Sequence, residues 1–473
     1  MTWRKDFTGL LVGIILLSGC ASVSLNRGFH EVQEAVETRA AAQIVWNNGS
    51  ELDRKAAEKV RSLLDRPLSA DDAVQIALLN NRDLQATYSE LGVAQADLVQ
   101  AGLLSNPIFD ASVIFPVRGG GHPDVELGAA MNFLNIFYIP LRKRVAAARF
   151  EETKTRISGS VLDFAGRVRT AFYNYEADQQ MLELRRTIVQ ALGASFELTR
   201  RLHEAGNLSD LDFARERAQL EAGKLALRSA EVSVRQSHEE LNVMMGLWGE
   251  QIRWQSPGRL PDIQDLPDDM KDLERLALER STDIAAARQR WMTEGEQLGL
   301  TRWTVLLPEF SAGPNAERED GAWQVGPKLD FLIPLFDQGQ ARSTRTVAEL
   351  RRIEHEYYAL AVRIRSQARA TRDRLEAAAD RALYFRDILL PLRERIVSES
   401  QLQYNAMQLS PLELLRAREQ QIESAVSYIG ALRDYWLAQA DLGQILSGRL
   451  PTSAVAPTRG TPAESGRSAS EGH

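Results

Sequence analysis

Cysteine is nearly absent from this sequence: a single residue, Cys20, stands among 473, which excludes an internal disulfide framework and any cysteine-rich metal site. Basic clusters are missing as well. Lys and Arg number 57 against 64 Asp and Glu, a net charge of −7 spread along the chain, so the positive footprint of a nucleic-acid partner is excluded. Glycine (31) and proline (17) are too sparse for a collagenous or wholly disordered chain. After Cys20 no apolar run reaches the ~18 residues of a spanning helix, so any crossing of a membrane falls to strands. Catalytic signatures are also lacking. The six histidines (His30, His122, His203, His238, His355 and His473) are scattered, and there is no H-E-x-x-H, G-x-S-x-G, Walker loop or helix-opening G-x-G-x-x-G. Glu151-Glu152 and Asp268-Asp269 read as exposed charge, and Met244-Met245 as core packing rather than a metal site. The expectation is a protein that is not an enzyme and holds no cofactor or metal.

What is present begins at the N-terminus. Arg4 and Lys5 precede an apolar run from Phe7 to Leu17, long enough for a signal-peptide core and too short for a spanning helix. Residues 1–19 therefore read as an export signal. Leu17-Ser18-Gly19-Cys20 resembles the bacterial lipobox, which implies that Cys20 becomes a lipid-modified N-terminus. Ala21 rather than Asp follows it, compatible with sorting to the outer membrane of a Gram-negative bacterium. Residues 20–66 read as a polar, lipidated linker, and 449–473, rich in Pro, Gly, Ser and Thr, as a disordered tail.

Between these ends the chain repeats itself once, at an offset of ~200 residues, far too long for a solenoid. Asn81-Arg-Asp83-Leu84 answers to Ser281-Thr-Asp283-Ile284, and Asn106-Pro107 to Leu307-Pro308. The segment from Leu134 to Pro140-Leu141 matches that from Leu329 to Pro334-Leu335. Gly206-Asn-Leu208-Ser209-Asp-Leu211 matches Met407-Gln-Leu409-Ser410-Pro-Leu412. The halves are placed at 67–248 and 271–448, with 249–270 connecting them. Each half shows a helix, two short alternating segments, a very long helix, a tight turn and another helix.

In the alternating segments Phe109, Ala111 and Val113 share one face with Asp110 and Ser112 opposite, and Val125, Leu127, Ala129, Met131 and Phe133 oppose Glu126, Gly128 and Asn132. Gly119-Gly120-Gly121 and His122-Pro123 read as the loop between these two segments. Phe310 and Ala312, then Trp323, Val325, Leu329 and Phe331, repeat the pattern, with Pro327 expected to weaken the last strand. From Leu141 to about Gly206 apolar residues recur at helical steps without a proline, giving a helix of ~65 residues and ~100 Å. Its counterpart runs from Ala341 to Gln408, with a kink expected at Pro391. Arginines such as Arg363, Arg369 and Arg374 dress a solvated face.

This duplicated layout, with the lipobox and the paired turn segments, resembles the TolC-type outer-membrane efflux proteins over roughly residues 68–448. The resemblance implies a mainly α fold with a small β part. Three protomers would give four strands each to a twelve-stranded outer-membrane β-barrel, continued by a periplasmic α-barrel of long helical hairpins. It implies a passive exit duct working with a periplasmic adaptor and an inner-membrane pump, among outer-membrane lipid. Physics alone requires an oligomer, since four strands cannot close and small barrels need about eight; the sequence is compatible with two, three or four copies. The alternative is a periplasm-spanning coiled-coil lipoprotein scaffold without a pore, which has no use for four strands with a continuous apolar face. The turns lie at the helix ends far from the strands, so Gly206, Leu208, Ser209, Leu211, Leu409, Ser410 and Leu412 are the expected adaptor-docking tip. Glu204, Asp210, Asp212 and Glu413 would ring the same apex, with Arg200, Arg201, Arg215 and Arg416 pairing to them across hairpins as a gate. Where the first turn has Ala205-Gly206 the second has Ala406-Met407, so the two are expected to differ in shape or flexibility.

Lipidation is directly testable. Cys20→Ala should abolish incorporation of a radiolabelled fatty acid and leave unprocessed precursor on a gel, whereas unchanged labelling would exclude Cys20 as the acceptor. Export is expected to survive, because acyl chains add only a secondary attachment to a barrel that spans the membrane itself.

Overall fold

The computed structural model describes residues 26–451 apart from 116–122, 265–271, 307–309, 320–321, 332, 334 and 337. The signal segment, Cys20, the Gly119–His122 loop, Asp268-Asp269, Leu307-Pro308, Pro334 and the tail from 452 lie outside the described residues. The chain is mainly helical with one small antiparallel sheet. In order, α1 (Phe29–Ala40), α2 (Glu51–Leu64), α3 (Ala70–Asn80) and α4 (Arg82–Ala101) lead to β1 (Ile108–Ile114) and β2 (Asp124–Asn132). Then come α5 (Leu134–Glu204) and α6 (Asp210–Met245). The second half follows with α7 (Leu273–Arg280), α8 (Thr282–Leu306), β3 (Phe310–Glu319), β4 (Ala322–Phe331), α9 (Gln340–Tyr384), α10 (Leu390–Asn405) and α11 (Pro411–Leu446).

With 71 residues, α5 extends about 105 Å at 1.5 Å per residue, and no single core is that deep. Burial concentrates midway. Ile157, Val161, Val168 and Phe172 of α5 pack with Val36, Ile44, Ile76, Tyr88, Leu241 and Met245 in the first core. A second core joins Leu375 of α9 to Leu432, Tyr435 and Trp436 of α11 and to Leu273 and Ala277 of α7. Sheet and hairpin turns therefore sit at opposite ends of helices clamped at their middle.

The repeated Asn81/Ser281 motif has a common task at this clamp. Asn81 Oδ1 accepts from Leu84 N at 3.0 Å, capping α4, while its Nδ2 donates to the Met244 carbonyl near the end of α6 at 3.0 Å. In the second half Ser281 Oγ accepts from Ile284 N at 3.1 Å, and Thr282 N donates to the Gly448 carbonyl beyond α11 at 2.9 Å. Each returning helix is thus tied, by its otherwise orphaned C-terminal carbonyls, to the start of its own repeat. Arg449 then joins the halves: it pairs with Asp163 of α5 and with Asp283 of α8.

Three expectations need correction. Residues 26–66 are no linker: Val32, Val36, Ile44, Ala56 and Val60 are buried in the first core. The i,i+4 pairs Val32/Val36 and Ala56/Val60, with the Ser50–Asp53 capping box, were the available signal. The long helix begins at Leu134 rather than Leu141 and contains Pro140, so the matching segment that starts at Leu329 is strand in one repeat and helix in the other. Pro140 lies in the second turn of this helix, which continues through it. Finally, β4 runs through Pro327 unbroken, because it is an edge strand of this sheet, where a missing donor is tolerated. The Pro391 kink takes the form of a π-helical turn, Phe385–Leu389, between α9 and α10. Proline lacks the N–H that would bind the Asp387 carbonyl, and the extra residue widens the turn around its ring.

Between the cores, flanked by Tyr175 of the first and Ala177 of the second, Glu176 is 1% exposed and lies beside Ser256 and the backbone of Gly258 and Arg259. Burial raises its pKa from 4.5 to about 7. The unfolded carboxyl ionises first as pH rises, so stability is lost between those two values. Glu176→Gln keeps the neutral shape and should raise Tm at about pH 8, by the equivalent of roughly 2 kcal/mol, with the gain vanishing near pH 4.5. Thermal unfolding followed across that range checks this; a gain independent of pH would assign the effect to packing instead.

Candidate functional site

The sheet has the order β1-β2-β3-β4, so β1 and β4 are its open edges. Register decides what its faces present. Ser112 stands opposite Glu126, Glu126 opposite Glu317, and Glu317 opposite Gln324. The adjoining row is Ala111, Leu127, Ala316 and Val325. Since rows alternate between faces, one face carries Phe109, Val113, Leu127, Ala312, Val325 and Leu329, and the other Asp110, Glu126, Glu317, Gln324, Lys328 and Asp330. Lys328 Nζ lies 4.0 Å from Glu126 Oε1 on the polar face. Phe109 and Val325 are 77% and 76% exposed, and a continuous apolar surface of this kind needs a cover.

Two features lie beyond the sequence reading. β3 continues to Glu319, adding Asn315 and Glu317 to the polar face and Arg318 to the apolar one. Arg318 pairs with Trp323 and Val125 in the last rows before the loops, where a long cationic side chain can reach water. At the opposite rim Phe310 stands against Phe331, beside Phe133 at the start of α5, the aromatic placement of a membrane interface.

The hairpin turns lie at the other end. In the first, Asn207 N donates to the Leu202 carbonyl at 2.9 Å and Gly206 N to that of His203 at 2.9 Å; in the second, Gln408 N donates to Gln403 and Met407 N to Tyr404, each at 2.9 Å. Both are Schellman closures with a left-handed residue, Gly206 at φ 76° and Met407 at φ 60°. Serine then starts the next helix in each: Asp212 N donates to Ser209 Oγ at 3.2 Å, and Glu413 N to Ser410 Oγ at 3.3 Å. The two turns therefore share one backbone shape, contrary to the expectation drawn from Met407, which adopts the left-handed conformation despite its Cβ. The cost, about 1–2 kcal/mol, lies in the contact of its own Cβ with the backbone, and the side chain beyond it is 96% exposed.

Around the apex Leu208 and Leu409 are half-buried, Leu211 is 60% exposed, and Ser209 and Ser410 are exposed; the Leu412 side chain lies outside the described residues. Within one chain the expected gate residues pair locally. Arg200 binds Glu204 and Glu197, Arg201 binds Glu197 at 3.0 Å, and Arg215 binds Asp212 at 3.1 Å. The two arginines hold the Glu197 carboxyl down to about 2. Asp210 Oδ1 meets His203 Nε2 at 2.7 Å, and the His203 ring stacks on Phe213 at 4.6 Å. Glu413 accepts from Ser410 N at 3.1 Å, and Arg416 is exposed. Short-range geometry explains the difference from the expected pairing across hairpins: residues three or four apart on one helix already face each other.

A four-stranded sheet with one apolar face, joined to hairpins of this length, is matched by comparison with known proteins. Residues 73–247 match the model of the outer membrane efflux protein family. Over that stretch the chain is similar to the family. It is similar to the cobalt-zinc-cadmium resistance protein CzcC of Cupriavidus metallidurans, 20% identical over 80% of this chain and 90% of that protein. It is also similar to the antibiotic efflux pump outer membrane protein ArpC of Pseudomonas putida, 24% identical over 74% of this chain and 75% of that protein. The outer membrane protein VceC of Vibrio cholerae shares the fold with a TM-score of 0.64, at 15% identity, over 80% of this chain and 96% of that one. Outer membrane efflux proteins are channel components of tripartite efflux systems and not enzymes.

Face assignment in the sheet gives a sharp contrast between neighbouring residues. Val113→Arg and Leu127→Arg should reduce assembled oligomer, costing roughly 2–4 kcal/mol near the bilayer midplane, while Ser112→Arg on the polar face should be tolerated. Oligomer yield after reconstitution measures it, and equal loss at positions 112 and 113 would contradict the assignment.

Proposed function

We propose that three copies of this chain form one tube, the passive exit duct of an efflux system, anchored in the outer membrane and reaching into the periplasm. One observation carries this reading: a sheet with a wholly apolar stretch of face and two open edges stands at one end of helices about 100 Å long, and two turns of equal shape stand at the other. In lipid an unpaired strand edge costs several kcal/mol per group, so β1 of one copy must meet β4 of the next. Three copies of four strands give a twelve-stranded closure with the acidic face inward. A non-pore scaffold is disfavoured, because it would leave the apolar face uncovered. In this reading acyl chains on Cys20 add a second attachment to the membrane. The serine-capped turns, with Gly206, Leu208, Ser209 and Leu211 in one and Leu409, Ser410 and Leu412 in the other, receive a helical hairpin of a periplasmic adaptor end-on, and an inner-membrane pump energises transport.

Repeated by the three-fold axis, Glu204, Asp210, Asp212 and Glu413 form acidic rings at the apex. Exposed ion pairs are each worth ~1 kcal/mol or less, so Arg200, Arg201 and Arg215 can exchange their local partners for acids of a neighbouring copy, and a tip closed in this way together with Arg416 opens on adaptor binding without a large input. A projection image of the purified assembly should show a three-fold annulus; an elongated particle without one would favour the scaffold. Replacing Asp210 and Asp212 together by Ala should raise the resting single-channel conductance in a planar bilayer. Identical conductance with undiminished adaptor cross-linking would remove both residues from gate and dock alike.

A further inference from the structure

Just behind the two turns, α5 and α6 of the first hairpin and α10 and α11 of the second enclose a cavity of about 530 Å³. Its walls are mostly aliphatic, with Ala194, Leu198, Leu202, Leu208, Leu414 and Leu415 prominent among them. Into this lining α6 places Glu216, a carboxylate residue only 8% exposed. Its hydrogen bond is donated by the neutral Ser195 hydroxyl at a long 3.3 Å. Among the described residues no Lys, Arg or His comes within ion-pair distance of it. Two further charged residues line the slot: Arg418, exposed, donates to the Gln401 amide oxygen at 3.4 Å, and Asp212 accepts from Ser209 and pairs with Arg215. Burial raises the Glu216 pKa, and the negative charge of Glu419 on α11 pushes the same way.

A carboxylate in an apolar slot with one weak neutral donor is costly unless a cation is brought to it. We propose that this slot binds an amphiphilic organic ammonium ion, its N–H bonded to Glu216 and its hydrocarbon body against the leucines of both hairpins. Each part has its own physical reason. An ammonium supplies the charge-assisted hydrogen bond that Ser195 does not, the walls remove apolar surface from water, and the volume lies in the range of small-molecule sites. Glu216 and Glu419 disfavour an anion, and for a strongly hydrated metal cation the second carboxylate of the lining, Asp212, is already held by Ser209 and Arg215. The lining residues all come from one chain, so the slot does not require the proposed oligomer, although Leu208 and Ser410 are shared with the proposed docking turns.

The probe is dansylcadaverine, an apolar fluorophore joined to a primary ammonium by a five-carbon chain, added to the full-length oligomer in lipid nanodiscs without any adaptor. Its emission should rise and shift to the blue with saturable binding, and N-pentyl dansylamide, which lacks the ammonium, should bind at least tenfold more weakly. Glu216→Gln should weaken dansylcadaverine about tenfold and leave the neutral analogue unchanged. Ser195→Ala should bind dansylcadaverine as tightly as the wild type or more so, since the carboxylate then lacks its competing donor. Ala194→Phe, which fills the slot, should abolish binding of both. Absence of saturable binding to the wild type, equal affinity for the charged and neutral probes, or parallel losses in Glu216→Gln and Ser195→Ala would each overturn the proposal.

Discussion

Every backbone N–H and C=O exposed to lipid must find a partner, and the four-stranded sheet of this chain leaves two edges where none is available within the chain. Much else follows from that constraint. Register places Phe109, Val113, Leu127 and Val325 on one face and Asp110, Glu126, Glu317 and Gln324 on the other, so in the proposed assembly closing the edges would also separate lipid from a polar interior. The sheet is formed by one hairpin from each repeat, with β2 paired to β3 across a separation of about 190 residues, which makes the two halves a single structural unit at this end of the molecule.

The same union is made twice more along the molecule. At the clamp, Asn81 and Thr282 hold the returning ends of α6 and α11, while Arg449 bridges Asp163 of the first half to Asp283 of the second. Near the tip, the hairpins enclose the slot lined by Glu216. The energetic character changes from end to end. Backbone pairing dominates the sheet, apolar burial the clamp, and exposed local ion pairs the tip. Stability therefore concentrates midway, and the turns are left with weak contacts suited to rearrangement.

Conformational economy is visible where the repeats diverge. Gly206 and Met407 carry the same left-handed closure, which shows that the Schellman bonds and serine caps dictate the turn and that the residue type only sets its cost. The segment starting at Leu134 is helical and its counterpart at Leu329 is strand. Its apolar residues suit either state, and the neighbours decide: Asn135 Nδ2 donates to Ser105 Oγ at 2.8 Å and Tyr138 is buried among helices, whereas Leu329 stands in register with Ala312.

Local periodicity determined a great deal. A period of two marked the strand faces, a period near 3.6 the long helices, Pro391 the kink, and the duplicated order of features the two repeats and, with the lipobox, the family resemblance. These signals survive in sequence because each depends on residues a few positions apart. Long-range pairing was not legible. The partner of β2, the extension of β3 to Glu319, the packing of Val32, Ile44 and Val60 into the first core, and the isolation of Glu216 between hairpins all join residues far apart along the chain. The tip ion pairs show the reverse: spacing already favoured Arg200 with Glu204 and Arg201 with Glu197 on one helix face. Tertiary structure alone decided which faces meet, because burial and register are properties of neighbours in space that no single segment encodes.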